Sequence, residues 1–265
     1  MIKDDLMVGR MSSNHVRPTE CDQNAPVTFS LSRERVDLWK VRLDQPETVL
    51  RLFENTLAIE ESERASRFHF ERDQRHFTAA RAQLRMILSR YVGVDAAALV
   101  FAYGPYGKPV LATPSAPALK FNLSHSGGLA LVAVACDREV GVDIEEMRPL
   151  EDAEKVAEQF FSARENAELR ALPEQTRLEA FYWCWTLKEA YVKGTGGGLG
   201  IATDSFDVAF LRGEPVRLRN VEGRPEEASR WSLVGLAPAD GFAGAVAVEG
   251  HDWTLAWREL DLGGR

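Results

Sequence analysis

A long segment without glycine or proline, residues 174–193, limits what this part of the chain can fold into. Pro173 precedes it and the stretch GTGGGLG follows it, and both are typical of helix ends. The segment therefore predicts one uninterrupted helix. Because successive helical residues turn by about 100°, Glu189 and Lys193 share one stripe of this helix, with Lys188 at its flank.

The predicted helix is rich in aromatic side chains, so much of its surface should be buried; these are Phe181, Tyr182, Trp183 and Trp185. Charged groups within such bulk need partners, because burying an unpaired charge costs several kcal/mol. An exposed pair of Glu189 and Lys193, worth about 0.2–0.5 kcal/mol, is the simpler interpretation. A metal ion and a phosphate would also satisfy these charges, and the helix pattern alone leaves both interpretations open.

A short stretch of alternating apolar and acidic residues, GVDIE at 141–145, follows the apolar run LALVAVACDREV. The pattern predicts the second strand of a hairpin, with Asp143 and Glu145 on one face. Same-face Cα atoms in a strand lie about 6.6 Å apart, so both carboxylates could reach one cation with ligand distances of about 2.0–2.1 Å. A solvated acidic face on an edge strand is the alternative, and an isolated motif does not decide between them.

Composition excludes several classes of protein. The chain has 265 residues with 45% hydrophobic and 27% charged residues, which is typical of a soluble globular protein. Its net charge of −8 disfavours nucleic acid and anionic membranes as partners. No stretch has the pattern of a signal peptide or a membrane span, so we expect a cytoplasmic protein. The three cysteines lack metal or disulfide spacing and fit reduced thiols; they are Cys21, Cys136 and Cys184.

The order of predicted elements repeats along the chain. A strand at 36–43 precedes a helical block at 47–91, and a second helical block at 151–193 follows the strand that carries Asp143. Several strand-like pieces follow each block. We therefore predict α+β architecture with two lobes of similar plan. The predicted segments are a disordered N-terminal segment, a first α+β lobe and a second α+β lobe, spanning 1–25, 26–138 and 139–265.

Four motifs in order resemble the signature of the 4'-phosphopantetheinyl transferases, whose pattern is roughly (I/V)G(I/V)D(I/L)E followed by (W/F)xxKExxxK. GVDIE and WTLKEAYVK match these two patterns, and YGKP at 106–109 and FNLSHS at 121–126 agree in type and order. The arginine-rich segment RFHFERDQRHFTAARAQLR is similar to the first half of the larger, surfactin-synthetase-activating type. The resemblance covers about residues 60–210.

This resemblance implies a pseudodimer of two similar α+β lobes with the active site in the cleft between them. It implies transfer of the 4'-phosphopantetheine arm from coenzyme A, the co-substrate, to a serine of an apo acyl or peptidyl carrier protein. Mg²⁺, with Mn²⁺ as an alternative, is the implied cofactor, and 3',5'-adenosine bisphosphate is released. Such a reaction needs positioning and charge neutralisation rather than a protein nucleophile, which agrees with the absence of GxSxG, HExxH and Walker motifs.

The resemblance also assigns roles to individual residues. Asp143, Glu145 and Glu189 are the implied metal ligands, and Glu189 is the candidate base, with Asp143 and Lys193 as further catalytic groups. Lys188 and Lys193 are expected to fix the pyrophosphate. Lys108 and His125 match positions that contact the 3'-phosphate of coenzyme A. The full set of expected coenzyme A contacts is Arg64, Lys108, Ser124, His125, Lys188 and Lys193.

The arginine-rich segment offers further phosphate contacts. Arg81 and Arg85 lie four residues apart on one helical face and could bind a phosphate bidentately, although neighbouring carboxylates explain many of these arginines as surface ion pairs. Glu61 and His76 stand where some family members carry basic coenzyme A contacts, so the sequence departs from the family there. Arg64 is the better match.

Two other functions remain open from the sequence. One is a non-catalytic homologue that binds coenzyme A or a carrier protein, which the complete acidic set disfavours. The other is a Mg²⁺-dependent phosphohydrolase or a glycosidase with paired carboxylates. This alternative does not explain why the motifs YGKP and SHS occur together with KEAYVK. The apolar residues of 147–161 are expected either to dock the carrier protein or to form the buried face of a helix.

Overall fold

The computed structural model describes residues 29–30, 32–112, 118–260 and 262. The segment 1–25, for which we predict disorder, lies outside these ranges. The strands are β1 (Arg35–Arg42), β2 (Phe101–Tyr103), β3 (Pro109–Leu111), β4 (Leu119–Ser126), β5 (Leu129–Cys136), β6 (Val140–Glu146), β7 (Phe206–Ala209), β8 (Arg217–Val221), β9 (Trp231–Leu236), β10 (Phe242–Glu249) and β11 (Thr254–Glu259). The helices are α1 (Glu47–Glu54), α2 (Ile59–Ser66), α3 (Glu71–Val92), α4 (Ala153–Phe160), α5 (Ala163–Ala171), α6 (Glu174–Thr195) and α7 (Glu227–Arg230). Short 3₁₀ turns lie at Ala96–Ala98, Gly198–Gly200 and Thr203–Ser205.

The segment without glycine or proline forms α6, as predicted. Pro173 stands directly before its first turn, and Gly196 follows its last turn with φ of 70°. This left-handed conformation ends the helix and suits glycine, which has no Cβ to clash. None of the helices in the described ranges has the length and apolarity needed to traverse a bilayer.

The two halves of the chain have the same topology. In the first, β1 is followed by helices α1–α3, the hairpin β2–β3 and the strands β4 and β5. In the second, β6 is followed by helices α4–α6, the hairpin β7–β8 and the strands β9 and β10. In each half the first strand pairs antiparallel with the last, which also pairs with the strand before it. This repeat confirms the predicted fold of two similar α+β lobes.

Two details of strand pairing differ from the predictions. The predicted hairpin of β5 and β6 is wrong, because both edges of β5 are already paired, with β1 and β4, and β6 pairs with β10 instead. Asp137, at φ of 50°, lies in the tight connection between the two sheets. The last strand, β11, which falls within the predicted second lobe, pairs parallel with β1 of the first lobe.

Three apolar cores hold the layers together. One core lies between the first sheet and helices α1–α3, and another lies around α6 in the second lobe. The third lies between the lobes, where the outer faces of the two sheets pack against each other; its members include Val36, Leu38, Leu131, Val142, Ile144 and Val246. The lobes therefore share a dry interface, and the polar faces of β4 and β6 meet beside it.

Side chains of β4 join it to β6 in place of a backbone ladder. Asn122 accepts a hydrogen bond from the Val142 N–H at 2.9 Å, and the Ser126 hydroxyl accepts one from the Glu146 N–H at 3.1 Å. The two bonds join residues four apart on β4 to residues four apart on β6, so the two strands are held in register. They place Ser124, which lies between the two bridging residues, beside Asp143.

Helix α6 packs unusually close to β6 because a glycine stands at the contact. A methyl group on Gly141 would overlap the carbonyl oxygen of Ala190 and the backbone nitrogen of Gly194. Only a residue without Cβ allows this approach. It brings the acidic face of β6 next to the charged stripe of α6.

Lys188 does not belong to that stripe, so its expected role at the pyrophosphate is wrong. Its side chain is 2% exposed, and its ammonium donates to Glu165 Oε2 at 2.6 Å and to the Phe206 carbonyl at 2.7 Å. The ammonium also lies 4.2 Å from the centre of the Phe206 ring. Lys188 therefore joins α6 to α5 and β7 inside the second lobe, with its charge already neutralised.

This buried pair leads to a prediction about stability. Lys188→Met would leave the Glu165 carboxylate buried without its cation, and we expect the free energy of unfolding to fall by about 3–5 kcal/mol. Equilibrium urea denaturation measures the change. Lys155→Met, which removes an exposed lysine paired with Asp152 on α4, is the control and should cost less than about 1 kcal/mol. Equal denaturation midpoints for the two variants would contradict the structural role of Lys188.

Candidate active site

Three carboxylates and one lysine meet where β4, β6 and α6 come together. Asp143 is 1% exposed, and Glu145, on the same face of β6, is half-buried. Glu189 and Lys193 lie one turn apart on α6, and both are partly exposed to the cleft. The structure therefore brings together the implied metal ligands and one of the two implied pyrophosphate lysines.

A short hydrogen-bond network crosses the lobe boundary at this point. The Ser124 hydroxyl donates to Asp143 Oδ1 at 2.8 Å. Lys193 Nζ donates to the same Asp143 oxygen at 2.5 Å and to the Ser124 hydroxyl at 2.9 Å. One residue from the first lobe and two from the second thus form a closed triangle.

One oxygen of this network has no hydrogen-bond partner among the described residues. Asp143 Oδ2 is buried and accepts no hydrogen bond within the described part of the chain. An unpaired buried carboxylate oxygen is costly. Burial raises the pKa of the Asp143 carboxyl, and the bonds to Lys193 and Ser124 counteract part of this effect. Asp143 therefore has one oxygen that can still accept a bond.

The cluster carries more negative than positive charge. Burial raises the pKa of Glu145 and of Glu189, and the negative charge of Asp143 raises both further. Lys193 is the cation that lowers both. Three carboxylates against one ammonium leave a site that favours a further cation.

The residues fit a hard divalent cation in donor type and charge, since Mg²⁺ prefers carboxylate oxygens. Among the described residues, however, no three acidic, histidine or cysteine side chains converge closely enough to hold a metal ion as they stand. Lys193 holds one oxygen of Asp143, and Ser126 donates to Glu145 Oε2 at 2.7 Å. Asp143 Oδ2, which has no hydrogen-bond partner among the described residues, is the carboxylate oxygen that remains available to bind a cation.

Glu189 differs from its two acidic neighbours in its contacts. Its carboxylate makes no hydrogen bond within the ranges that the structure describes, whereas Asp143 and Glu145 are both held by serines of β4. A half-buried carboxylate with free oxygens and a raised pKa is suited to accept a proton.

His125 stands at the end of β4, one residue beyond Ser124, and is exposed. Partial desolvation, followed by the charges of Lys193 and His76, lowers the pKa of His125. The exposed ring can offer an N–H to an anion.

A surface cavity of about 580 Å³ lies in the first lobe. Arg72 is exposed at its wall, and the His76 ring forms a hydrogen bond of 2.8 Å with Asp44. This bond and the positive charges of His76, Arg72 and Arg42 hold the pKa of Asp44 below its usual value. The lining residues are Leu43, Asp44, Gln45, Pro46, Glu71, Arg72, Arg75 and His76. A cavity of this size is typical of small-ligand sites.

Lys108 has different partners from those that the resemblance implied. Its ammonium donates to Glu139 Oε2 at 3.0 Å, to the Val140 carbonyl at 3.2 Å and to the Gly194 carbonyl at 2.8 Å. Desolvation lowers the pKa of Lys108, and Glu139 raises it again. An ammonium has three N–H donors, and all three are used by the protein.

The other basic residues of the first lobe are divided between the surface and the core. Arg64 is exposed, and its guanidinium lies 5.3 Å from the centre of the Phe77 ring. The phosphate grip expected of Arg81 and Arg85 is wrong, because both are buried and form ion pairs with Glu61. Glu61 therefore neutralises two buried arginines.

The apolar residues of 147–161 divide between core and surface. Phe161 is 2% exposed and belongs to the core of the second lobe, and the residues packed against that core are Met147, Val156 and Phe160. Leu150 alone among the five apolar residues proposed for docking is exposed, at 39%. Most of the segment is therefore the buried face predicted as one of its two alternatives.

Sequence reasoning missed the polar residues that join the lobes. Asn122 and Ser126 fix β4 against β6, and Glu139 receives Lys108 at the boundary. The alternation of polar residues in FNLSHS was the available signal, since side chains two apart share one face of a strand.

Comparisons with known proteins identify the family. The profile described as "4'-phosphopantetheinyl transferase superfamily" matches residues 139–247, and the profile "4'-phosphopantetheinyl transferase, N-terminal" matches residues 39–137. The chain is 42% identical over 229 residues to 4'-phosphopantetheinyl transferase HetI of Nostoc sp., covering 86% of this chain and 93% of that protein. It is 31% identical over 156 residues to 4'-phosphopantetheinyl transferase Sfp of Bacillus subtilis, covering 59% of this chain and 67% of that protein.

Among solved structures, the holo-(acyl-carrier-protein) synthase from Bacillus anthracis in complex with CoA matches with a TM-score of 0.36 at 21% identity, covering 43% of this chain and 96% of that chain. Both halves of the chain are matched by profiles of one family, and HetI is matched over nearly its whole length. The chain therefore belongs to the 4'-phosphopantetheinyl transferase superfamily, in its larger, Sfp-like type.

Proposed function

We propose that this protein transfers the 4'-phosphopantetheine arm of coenzyme A to a serine of an apo acyl or peptidyl carrier protein, with Mg²⁺ as cofactor and 3',5'-adenosine bisphosphate as the second product. The observation that carries the proposal is Asp143 Oδ2, which is buried and has no hydrogen-bond partner among the described residues. It lies in an acidic cluster that Ser124 of one lobe and Lys193 of the other hold in place. Membership of the transferase superfamily supports the same reaction.

Asp143, Glu145 and Glu189 would hold the Mg²⁺ ion. When bound, the ion would neutralise charge on the pyrophosphate oxygens and so favour displacement at phosphorus. The excess negative charge of the cluster and the free Asp143 oxygen support this ligand set.

Coenzyme A would lie across the lobe boundary. Its nucleotide portion would occupy the cavity walled by Arg72 and His76, where exposed basic groups can meet phosphate. His125 and Ser124, at the end of β4, would contact the phosphates between cavity and cluster. Lys193, whose side chain is 30% exposed, would bind the pyrophosphate. Arg64 is the remaining first-lobe candidate.

The chemical step is a displacement at phosphorus. The carrier serine oxygen forms a bond to the phosphorus that bears the pantetheine arm, and the bond from that phosphorus to 3',5'-adenosine bisphosphate breaks. The serine proton passes to Glu189, whose carboxylate has two oxygens and no hydrogen bond to other described residues. A Glu189 oxygen that the cation does not engage would be available to accept this proton. Lys193 offsets negative charge that leaves with the bisphosphate.

A direct assay tests the whole proposal. Incubating the protein with coenzyme A, Mg²⁺ and an apo carrier protein should increase the carrier's mass by one phosphopantetheine arm, as measured by intact-protein mass spectrometry. A chelator should stop the reaction, and added Mg²⁺ or Mn²⁺ should restore it. Binding of coenzyme A without any mass increase would instead indicate a non-catalytic homologue. Release of inorganic phosphate from coenzyme A would indicate a phosphohydrolase.

We expect Asp143→Asn to lower transfer at least about 100-fold while the thermal melt stays near that of the wild type. The amide keeps the shape of the side chain but removes the negative charge of a buried carboxyl group, whose pKa is raised by burial. Lys193, which loses this partner, can turn to solvent. Glu146→Gln, on the same strand but paired with exposed Arg148, is the matched control and should retain activity. Normal transfer by Asp143→Asn would overturn the metal assignment.

We further expect carrier docking to involve Leu150, the exposed apolar residue beyond the end of β6. Leu150→Asp should raise KM for the carrier protein about tenfold while KM for coenzyme A and the melting temperature stay unchanged, because only a surface contact is lost. Leu52→Asp makes the same change at an exposed site on α1 of the first lobe. If both variants have equal carrier KM values, docking must occur elsewhere.

A further inference from the structure

Lys108 lies in the turn between β2 and β3, a part of the first lobe that reaches the second. Its three N–H groups are all donated to acceptors near the lobe boundary, namely Glu139, Val140 and Gly194. The side chain is 16% exposed. Two of these acceptors are backbone carbonyls that have no other function in the candidate site.

The two carbonyls belong to the two elements that carry the acidic cluster. Gly194 follows Lys193 directly and lies in the last turn of α6. Val140 is the first residue of β6, three residues before Asp143. A single ammonium thus fixes the end of the helix relative to the start of the strand. A positive charge is also favourable at a helix C-terminus, where the carbonyl dipoles point outward.

The rest of the β2–β3 hairpin is held at both ends. At its tip, the Tyr106 ring lies so close to the glycine-rich loop that a methyl group on Gly198 or Gly200 would meet it. At its base, the guanidinium groups of Arg81 and Arg85 lie 4.8 and 5.1 Å from the centre of the Phe101 ring. The hairpin is therefore a connection between the helices of the first lobe and the C-terminal end of α6.

We propose that Lys108 is a positioning residue that fixes α6 against β6, and with them Lys193 against Asp143, rather than a ligand of the coenzyme A 3'-phosphate. The inference rests on the proposed transferase function of the cleft. It follows from the donor count: a phosphate contact would require the ammonium to give up a bond to a carbonyl or to Glu139. A small displacement of catalytic groups is known to lower rates strongly, by about 100-fold for about 1 Å.

The test compares Lys108→Met with Lys120→Met. Lys120 also pairs with Glu139, at 2.7 Å, but is more exposed and makes no bond to α6, so the control removes the same charge beside the same carboxylate. We expect Lys108→Met to lower kcat at least about tenfold and to leave KM for coenzyme A within about twofold. Lys120→Met should leave both constants within about twofold.

Dephospho-coenzyme A, which lacks the 3'-phosphate, distinguishes positioning from direct contact. A positioning role predicts the same fractional loss of kcat with either co-substrate. A rise in KM for coenzyme A that is absent with dephospho-coenzyme A would show that Lys108 binds the 3'-phosphate and would overturn the proposal. Identical kinetics for the two lysine variants would overturn it as well.

Hydrogen exchange provides a readout that does not need transfer activity. Amides at the end of α6, around residues 194–196, should exchange faster in Lys108→Met than in Lys120→Met, and equal protection would contradict the proposal. If Lys108→Met does not fold, Glu139→Gln takes its place, because this change weakens one of the three Lys108 bonds and keeps the other two. Glu139→Gln should lower kcat in the same way but to a smaller degree. An unchanged kcat would count against the proposal. Absence of transfer by the wild type would refute the proposed function, whereas the exchange result would still decide the role of Lys108.

Discussion

The close approach of β6 to α6 at Gly141 is the contact on which the candidate site depends. The strand supplies Asp143 and Glu145, the helix supplies Glu189 and Lys193, and any side chain at position 141 would overlap the Ala190 carbonyl. The Trp231 ring lies beside the same contact, since a methyl group on Gly194 would meet both that ring and the Gly141 nitrogen. Backbone proximity therefore creates the acidic cluster, and the charged side chains need only project from two rigid elements.

The cost of that proximity is a concentration of negative charge. Ser124 and Ser126 of β4 and Lys193 of α6 each satisfy part of it. Two of them lie on β4 of the first lobe, so the second lobe does not complete its own site. The dry interface between the sheets and the side-chain bridges from Asn122 hold this strand in place. The duplicated topology thus has a chemical consequence, since the second lobe supplies the acids and Lys193, while the first lobe supplies the two serines that donate to those acids.

The sequence predicted the parts of the fold that depend on local pattern. Helix α6, the alternation in β6 and the two-lobed order follow from periodicity and from glycine and proline placement, together with the family resemblance. Strand partners were not predictable in this way. The sequence predicts that β6 pairs with β5, but β6 pairs with β10 in the structure. Pairing depends on which strand edges remain free, and local pattern does not show this. The direction of a charged side chain was also beyond local pattern. Lys188 lies beside Glu189 in sequence, yet the two project to opposite surroundings, one into the core and one into the cleft.

Charge alone is a poor guide to ligand contacts in this protein, and donor counting is a better one. Four basic residues have a charge suited to phosphate but donate N–H groups to carboxylates or carbonyls of the protein. They are Arg81, Arg85, Lys108 and Lys188. Because these side chains are largely buried, a ligand would have to replace several protein hydrogen bonds. One phosphate contact would not compensate for their loss. Lys193 and His125 differ because part of each side chain stays exposed. These accessible groups, of which Lys193 contacts Asp143 directly, are therefore better placed to meet an anion.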